Sequence, residues 1–116
     1  MEAREQQYLY LTTQGRKSGL SREIEIWFTS RDGRYYVIAE YASSHWVQNL
    51  QADARVHVRV GGKSFDGMAR LIVPQSEPEL HRAVQELSRK KYGWGEGLVI
   101  ELAPGRLLAP ISNLRP

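Results

Sequence analysis

Along residues 22–30, "REIEIWFTS", apolar and polar positions alternate, which predicts one strand. Ile24, Ile26 and Phe28 share one face, with Glu23, Glu25, Trp27 and Thr29 on the other. The pattern recurs in "ARVHVRV", where Val56, Val58 and Val60 alternate with Arg55, His57 and Arg59. Tyr8–Thr13 is aromatic, aliphatic and β-branched, a further strand. "RDGR" (residues 31–34) is an Asp-Gly hairpin turn leading into a strand through Tyr36, Val37 and Ile38. Gly61-Gly62 turns the chain into a strand over Ser64–Val73; "LVIEL" (98–102) makes another, and a short run near Leu107 a last one.

Two segments carry helical spacing instead. From Ser76 to Tyr92, Leu80, Ala83, Val84 and Leu87 form one apolar face, with Pro78 in the first turn and Ser76 and Glu79 as a capping box. A short helix spans Ser44 to Ala52, with Trp46, Val47 and Leu50 on its apolar side and Ser44 as N-cap. Hairpins dominate this order, so the chain is mainly β (α+β). Six or seven antiparallel strands curl into a small barrel with two helices, one domain over residues 1–116.

Composition narrows the function classes. The 116 residues are 41% hydrophobic and 25% charged, with a formal net charge of +3, as in an ordinary soluble domain. Cysteine is absent, which excludes disulfides, thiolate metal sites and cysteine nucleophiles. "MEAREQQ" has no apolar run and no stretch reaches the length of a membrane span, so a cytoplasmic location is expected. His45, His57 and His81 lie on different elements without ligand spacing, so no metal is expected; His57 and His81 read as solvated positions. Ser18 sits in no nucleophile elbow, and Glu23 and Glu25 read as the wet side of an edge strand.

Two clusters carry candidate chemistry. "TTQGRKSGLSR" (12–22) gathers Arg16, Lys17, Ser18 and Arg22, all suited to an anion. Gly15 and Gly19 permit positive φ, which lets backbone N–H groups converge as an anion nest. On chemistry alone a phosphate-binding loop and a solvated turn guarding an edge strand stay equally open. In "EYASSHWVQNL" (40–50), Tyr41 and Trp46 suit stacking on a planar ring, while Ser43, Ser44 and Asn49 offer hydrogen bonds. The plainer alternative places Trp46 in the core, and both hold if the helix borders a pocket.

"LTTQGRKSGLSR" resembles the T-T-x-G-R-K-S-G-x-x-R segment of the deazaflavin (coenzyme F420)-dependent nitroreductase family. The run from Tyr35 to Ile72 is similar to that family's strand, loop, W-x-x-N-L helix and V-x-V-x-x-G-G hairpin. The resemblance covers about residues 8–73 and implies a split β-barrel related to FMN-binding proteins. It implies coenzyme F420 as cofactor, with Arg16, Lys17, Ser18 and Arg22 receiving the phosphate and tail. Tyr41, Ser43 and Ser44 would border the ring, with Trp46 and Asn49 on the helix behind. The implied activity passes a hydride from the reduced deazaflavin to an electron-poor small molecule, as in nitroreductases and quinone reductases, with Tyr41 a candidate catalytic proton source.

Alternatives are FMN, haem or another tetrapyrrole in the same barrel, or a cofactor carrier without turnover. A single-strand nucleic-acid-binding barrel using Arg55 and Arg59 is the rival from another class. The basic residues cluster at one turn and do not stripe a sheet face, so no nucleic-acid partner is expected. Trp27 on an otherwise polar face, together with the small core, points to a two-fold homodimer.

Overall fold

The computed structural model describes residues 6–105. Seven strands form one antiparallel sheet: β1 (Tyr8–Gln14), β2 (Ser21–Trp27), β3 (Thr29–Arg31), β4 (Arg34–Ala39), β5 (Arg55–Val60), β6 (Lys63–Ile72) and β7 (Leu98–Pro104). Helix α1 (His45–Ala52) follows β4, and α2 (Pro78–Tyr92) follows β6. The strand order is β2-β1-β5-β6-β7-β4-β3. Alternation places Leu9, Leu11, Val56, Val58 and Val60 in one core with Phe28, Val37, Ile100 and Leu102. The expected run near Leu107 lies outside the described residues.

That order has one consequence for shape. β2 and β3 sit at opposite edges of the sheet, yet only Phe28 separates them in the chain. The sheet must therefore curl until its two edges meet, which makes a barrel with a seam. The single strand expected over 22–30 is thus two strands with different partners, β2 on β1 and β3 on β4. Phe28 is the break. It is buried, and its backbone meets side chains of α2 where ladder partners would be. The Tyr92 hydroxyl accepts from Phe28 N–H (3.0 Å), and Lys91 Nζ donates to the Phe28 carbonyl (2.9 Å). Lys91 also lies over the Phe28 ring, 3.8 Å from its centroid. Burial lowers the Lys91 pKa and raises that of Tyr92.

Helix starts differ in detail from expectation. No capping box forms at Ser76: α2 begins at Pro78 with Glu77 as N-cap, and no side chain caps it. The Glu77 carboxylate is instead engaged by Arg70 (2.6 Å), while Ser76 N–H closes a turn on the Val73 carbonyl. Ser44 is the N-cap of α1, but its hydroxyl makes no capping bond. The hairpin at 31–34 is tight, with Asp32 and Gly33 both at positive φ (54° and 79°).

Candidate functional site

A groove of about 640 Å³ runs along the seam. β2, Phe28 and β3 contribute Glu25–Thr29, and β4 and the following turn contribute Tyr36, Ile38–Tyr41 and Ser44. Trp46 of α1, Ser88 and Tyr92 of α2, Trp94 beyond it and Tyr8 of β1 complete the lining. Aromatic surface dominates. Trp27 stacks on Tyr92 with ring centroids 4.4 Å apart and planes 6° from parallel, and Trp94 meets Trp27 edge-on at 6.5 Å. Trp27, offered above as a sign of a partner surface, therefore has its stacking partner within the chain.

The buried polar groups of this groove are mostly committed. Tyr36 donates to Glu101 Oε2 (2.9 Å), and Arg70 holds both oxygens of that buried carboxylate (3.2 and 3.3 Å). Burial first, and the bond to Glu101 second, push the Tyr36 phenol up to about 12, so it stays protonated. Thr29 Oγ1 is the exception: it is buried with no hydrogen-bond partner. The charged residues lining the groove are Glu25 and Glu40. Glu25 accepts from the Tyr10 hydroxyl (2.7 Å) on the wet face of edge strand β2, where Glu23 meets Arg59.

The basic loop lies between β1 and β2; its Arg16, Lys17 and Ser18, with Arg22 at the start of β2, are exposed and outside the groove lining. α1 connects the two places. Asn49, one turn beyond Trp46, is buried and accepts from both Arg16 N–H (3.2 Å) and Arg16 Nη1 (2.9 Å). Its own amide donates to Thr13 Oγ1 (3.3 Å). Asn49 thus clamps the loop onto the helix.

The expected backbone nest does not form from the glycines. Gly15 N–H bonds the Leu20 carbonyl, Gly19 N–H bonds the Gly15 carbonyl, and Leu20 N–H bonds Ser18 Oγ. These donors close the loop on itself. Only Gly19 takes positive φ (76°); Gly15 is needed for space, since a Cβ there would lie 2.8 Å from Ser18 Oγ and 2.9 Å from the Leu20 oxygen. The loop's polar side chains, Lys17, Ser18 and the Arg16 N–H groups not spent on Asn49, stay at the surface with Arg22 of β2.

Of the residues singled out from sequence, the groove brings together Tyr41, Ser44 and Trp46. Trp46 is half-buried against the core and lines the groove, so the helix does border a pocket. Ser43 is exposed outside the lining, and its carbonyl accepts from Gln48 (2.8 Å). Sequence reasoning missed Thr29, Tyr36, Ser88, Tyr92 and Trp94. "KKYGWG" after an amphipathic helix was a usable signal for the last two. Arg55 and Arg59 are paired with Asp53 and Glu23, and His57 with Asp66. Among the described residues no group of three His, Cys, Asp or Glu could hold a metal ion, and no helix is long and apolar enough to cross a membrane.

A curled seven-stranded sheet, an aromatic groove at its seam and a basic loop tied to the groove's helix define a split-barrel cofactor-binding protein. Residues 2–96 match the family described as F420H(2)-dependent quinone reductase, and the chain belongs to that family. Its cofactor is coenzyme F420. A solved F420-H2 dependent reductase (FDR-A) is 22% identical with a TM-score of 0.69, over 83% of this chain and 93% of that one. The heme storage protein HutZ from Vibrio cholerae is 18% identical with a TM-score of 0.70, over 88% of this chain and 84% of that one. A structure described as a domain-swapped dimer is 22% identical with a TM-score of 0.65, over 83% and 79%. At these identities the likeness concerns the fold. No curated protein matches the chain.

Proposed function

We propose that the protein is a coenzyme F420-dependent reductase of small electron-poor acceptors such as quinones, with nitro compounds as a further acceptor class. Membership of the family supports the cofactor, and the residues present suit it. Exposed cations at 16, 17 and 22 suit its phosphate and anionic tail, and an aromatic groove suits a flat ring. When bound, the reduced deazaflavin supplies the hydride. Arg16, Lys17, Ser18 and Arg22 then hold the anionic end, and Asn49 fixes Arg16 for that role. Tyr41, Ser44 and Trp46 border the ring, which leaves the Trp27–Tyr92–Trp94 cluster for the acceptor. These aromatic side chains exclude water and orient a flat acceptor over the ring. The one proton that completes the reduction comes from solvent or from Tyr41, which is 62% exposed and lines the groove.

The single observation that carries this reading is the Asn49–Arg16 clamp, which ties an anion-binding loop to the helix that walls the groove. Titration of the protein with oxidised F420, followed by fluorescence, tests the cofactor. Mixing with reduced F420 and a naphthoquinone, followed by the return of oxidised deazaflavin absorbance, tests turnover. Absence of saturable F420 binding overturns the reading, and tight FMN or haem binding in its place favours the alternative cofactors. A two-fold homodimer is proposed as well, supported by the fold neighbour described as a domain-swapped dimer. Sedimentation at micromolar concentration tests it, and a monomer that binds F420 as tightly as any dimer would remove it.

A further inference from the structure

Among the described residues, Thr29 Oγ1 is the buried side-chain oxygen or nitrogen without a hydrogen-bond partner. Such an atom is destabilising, and a valine would fill the same volume without the penalty. The other buried hydroxyls of the groove lining are spent, Tyr36 on Glu101 and Ser88 on the Trp94 carbonyl. Thr29 and Tyr36 are cross-strand partners, so their side chains rise from the same face of the sheet. Both line the groove beside Trp27, Tyr92 and Trp94.

Thr29 is only 6% exposed, and its oxygen is the shielded part of the side chain. A turn of χ1 to another staggered position exchanges that oxygen with a neighbouring substituent on Cβ. The turn breaks no hydrogen bond, because none is made. An unspent hydroxyl one rotamer from a ligand groove is a hydrogen-bonding group in waiting.

We propose that Thr29 is a specificity-determining residue for the acceptor. Its hydroxyl donates a hydrogen bond to a carbonyl oxygen of a neutral, planar quinone seated against Trp27, Tyr92 and Trp94. This rests on the reductase reading above. A neutral oxygen is favoured over a carboxylate because the charged residues of the groove, Glu25 and Glu40, are both anionic. In the reaction the quinone takes a hydride from reduced F420 and a proton from solvent and leaves as the hydroquinone, while the deazaflavin is oxidised. Thr29 keeps its proton throughout. Its bond strengthens as negative charge develops on the quinone oxygen, so it acts more on the transition state than on the bound quinone.

The test compares the wild type with Thr29→Val and Thr29→Ser in the full chain, using 1,4-naphthoquinone. Ligand-free Thr29→Val is expected to melt at or above the wild-type temperature and to bind oxidised F420 within about twofold of wild type, while kcat/KM for the quinone falls about tenfold. Quenching of tryptophan fluorescence by the quinone should also need a higher quinone concentration in this variant. Thr29→Ser should recover kcat/KM to within about threefold, since it keeps the hydroxyl. An active wild type matched by Thr29→Val in kcat/KM overturns the assignment alone, as does a Thr29→Val that melts lower. A wild type that binds F420 but leaves the quinone untouched overturns the acceptor assignment; one that binds no F420 overturns the reductase reading with it.

Discussion

Arg16 donates twice to a single atom: its backbone N–H and its Nη1 both reach Asn49 Oδ1, at 3.2 and 2.9 Å. One buried oxygen on α1 thereby sets both the path of the basic loop and the direction of its first cation. Asn49 lies outside the groove lining, so its part in binding is indirect.

Replacing Asn49 by Ala should therefore weaken F420 although no ligand contact is removed. Losing an acceptor shared by two donors, one of them charged, is expected to cost about 1–3 kcal/mol of stability. F420 affinity should fall with it, because Arg16 is then free to wander. Titration at a temperature where the variant is fully folded separates the two effects. Unchanged F420 affinity there would show that the clamp serves the fold alone.

Lys17 offers the cleaner test of the loop's charge. Its side chain is exposed and makes no hydrogen bond or salt bridge to another described residue, so Lys17→Ala should change stability by less than about 0.5 kcal/mol. F420 binding should weaken by about 1.5–3 kcal/mol if Lys17 meets a phosphate or tail carboxylate. The loss should shrink in high salt, which screens an exposed pair. Arg16→Ala, by contrast, should lower both stability and binding, because it also takes from Asn49 its charged donor, Nη1, and leaves only the backbone N–H.

The strands, both helices and their hairpin turns were legible because period-two and helical spacing are local properties. The seam was not. Nothing in the alternation of residues 22–30 says that Phe28 is where pairing changes from β1 to β4; that follows from the two sheet edges having to meet. For the same reason Trp27 read as a stranded indole, since its partner Tyr92 is 65 residues along the chain. The loop's cations were legible as chemistry. The spending of Gly15, Gly19 and Leu20 N–H groups inside the loop depends on a fold-back that composition does not reveal.

The Tyr92 hydroxyl should matter more than a half-buried phenol usually does. It accepts from Phe28 N–H at 3.0 Å and lies 2.7 Å from the Gln7 carbonyl and 2.9 Å from that of Phe28. Its one proton goes to either carbonyl, while its oxygen serves the amide at the point where the strand ladder breaks. Tyr92→Phe keeps the stack on Trp27 but leaves that amide without its partner, at a cost of about 1–3 kcal/mol. Urea denaturation measures it. A loss below about 0.5 kcal/mol would mean that the seam is held by Lys91 and ring packing alone.

Tyr36 gives the protein an alkaline limit with a definite sign. Its folded-state pKa of about 12 stands above the ordinary 10, through burial and the bond to Glu101. Between these values the unfolded chain has released the proton and the folded chain has kept it, so stability falls as pH rises. The contribution is complete below pH 10 and gone above about 12. Tyr36→Phe lacks this titration but also lacks the bond to Glu101, so it should be the less stable protein at neutral pH. The gap between wild type and variant should then narrow steadily as pH climbs from 10 toward 12. Denaturation midpoints for both proteins across that range decide the matter. A gap that stays constant would show that the hydroxyl is not buried against the carboxylate in solution.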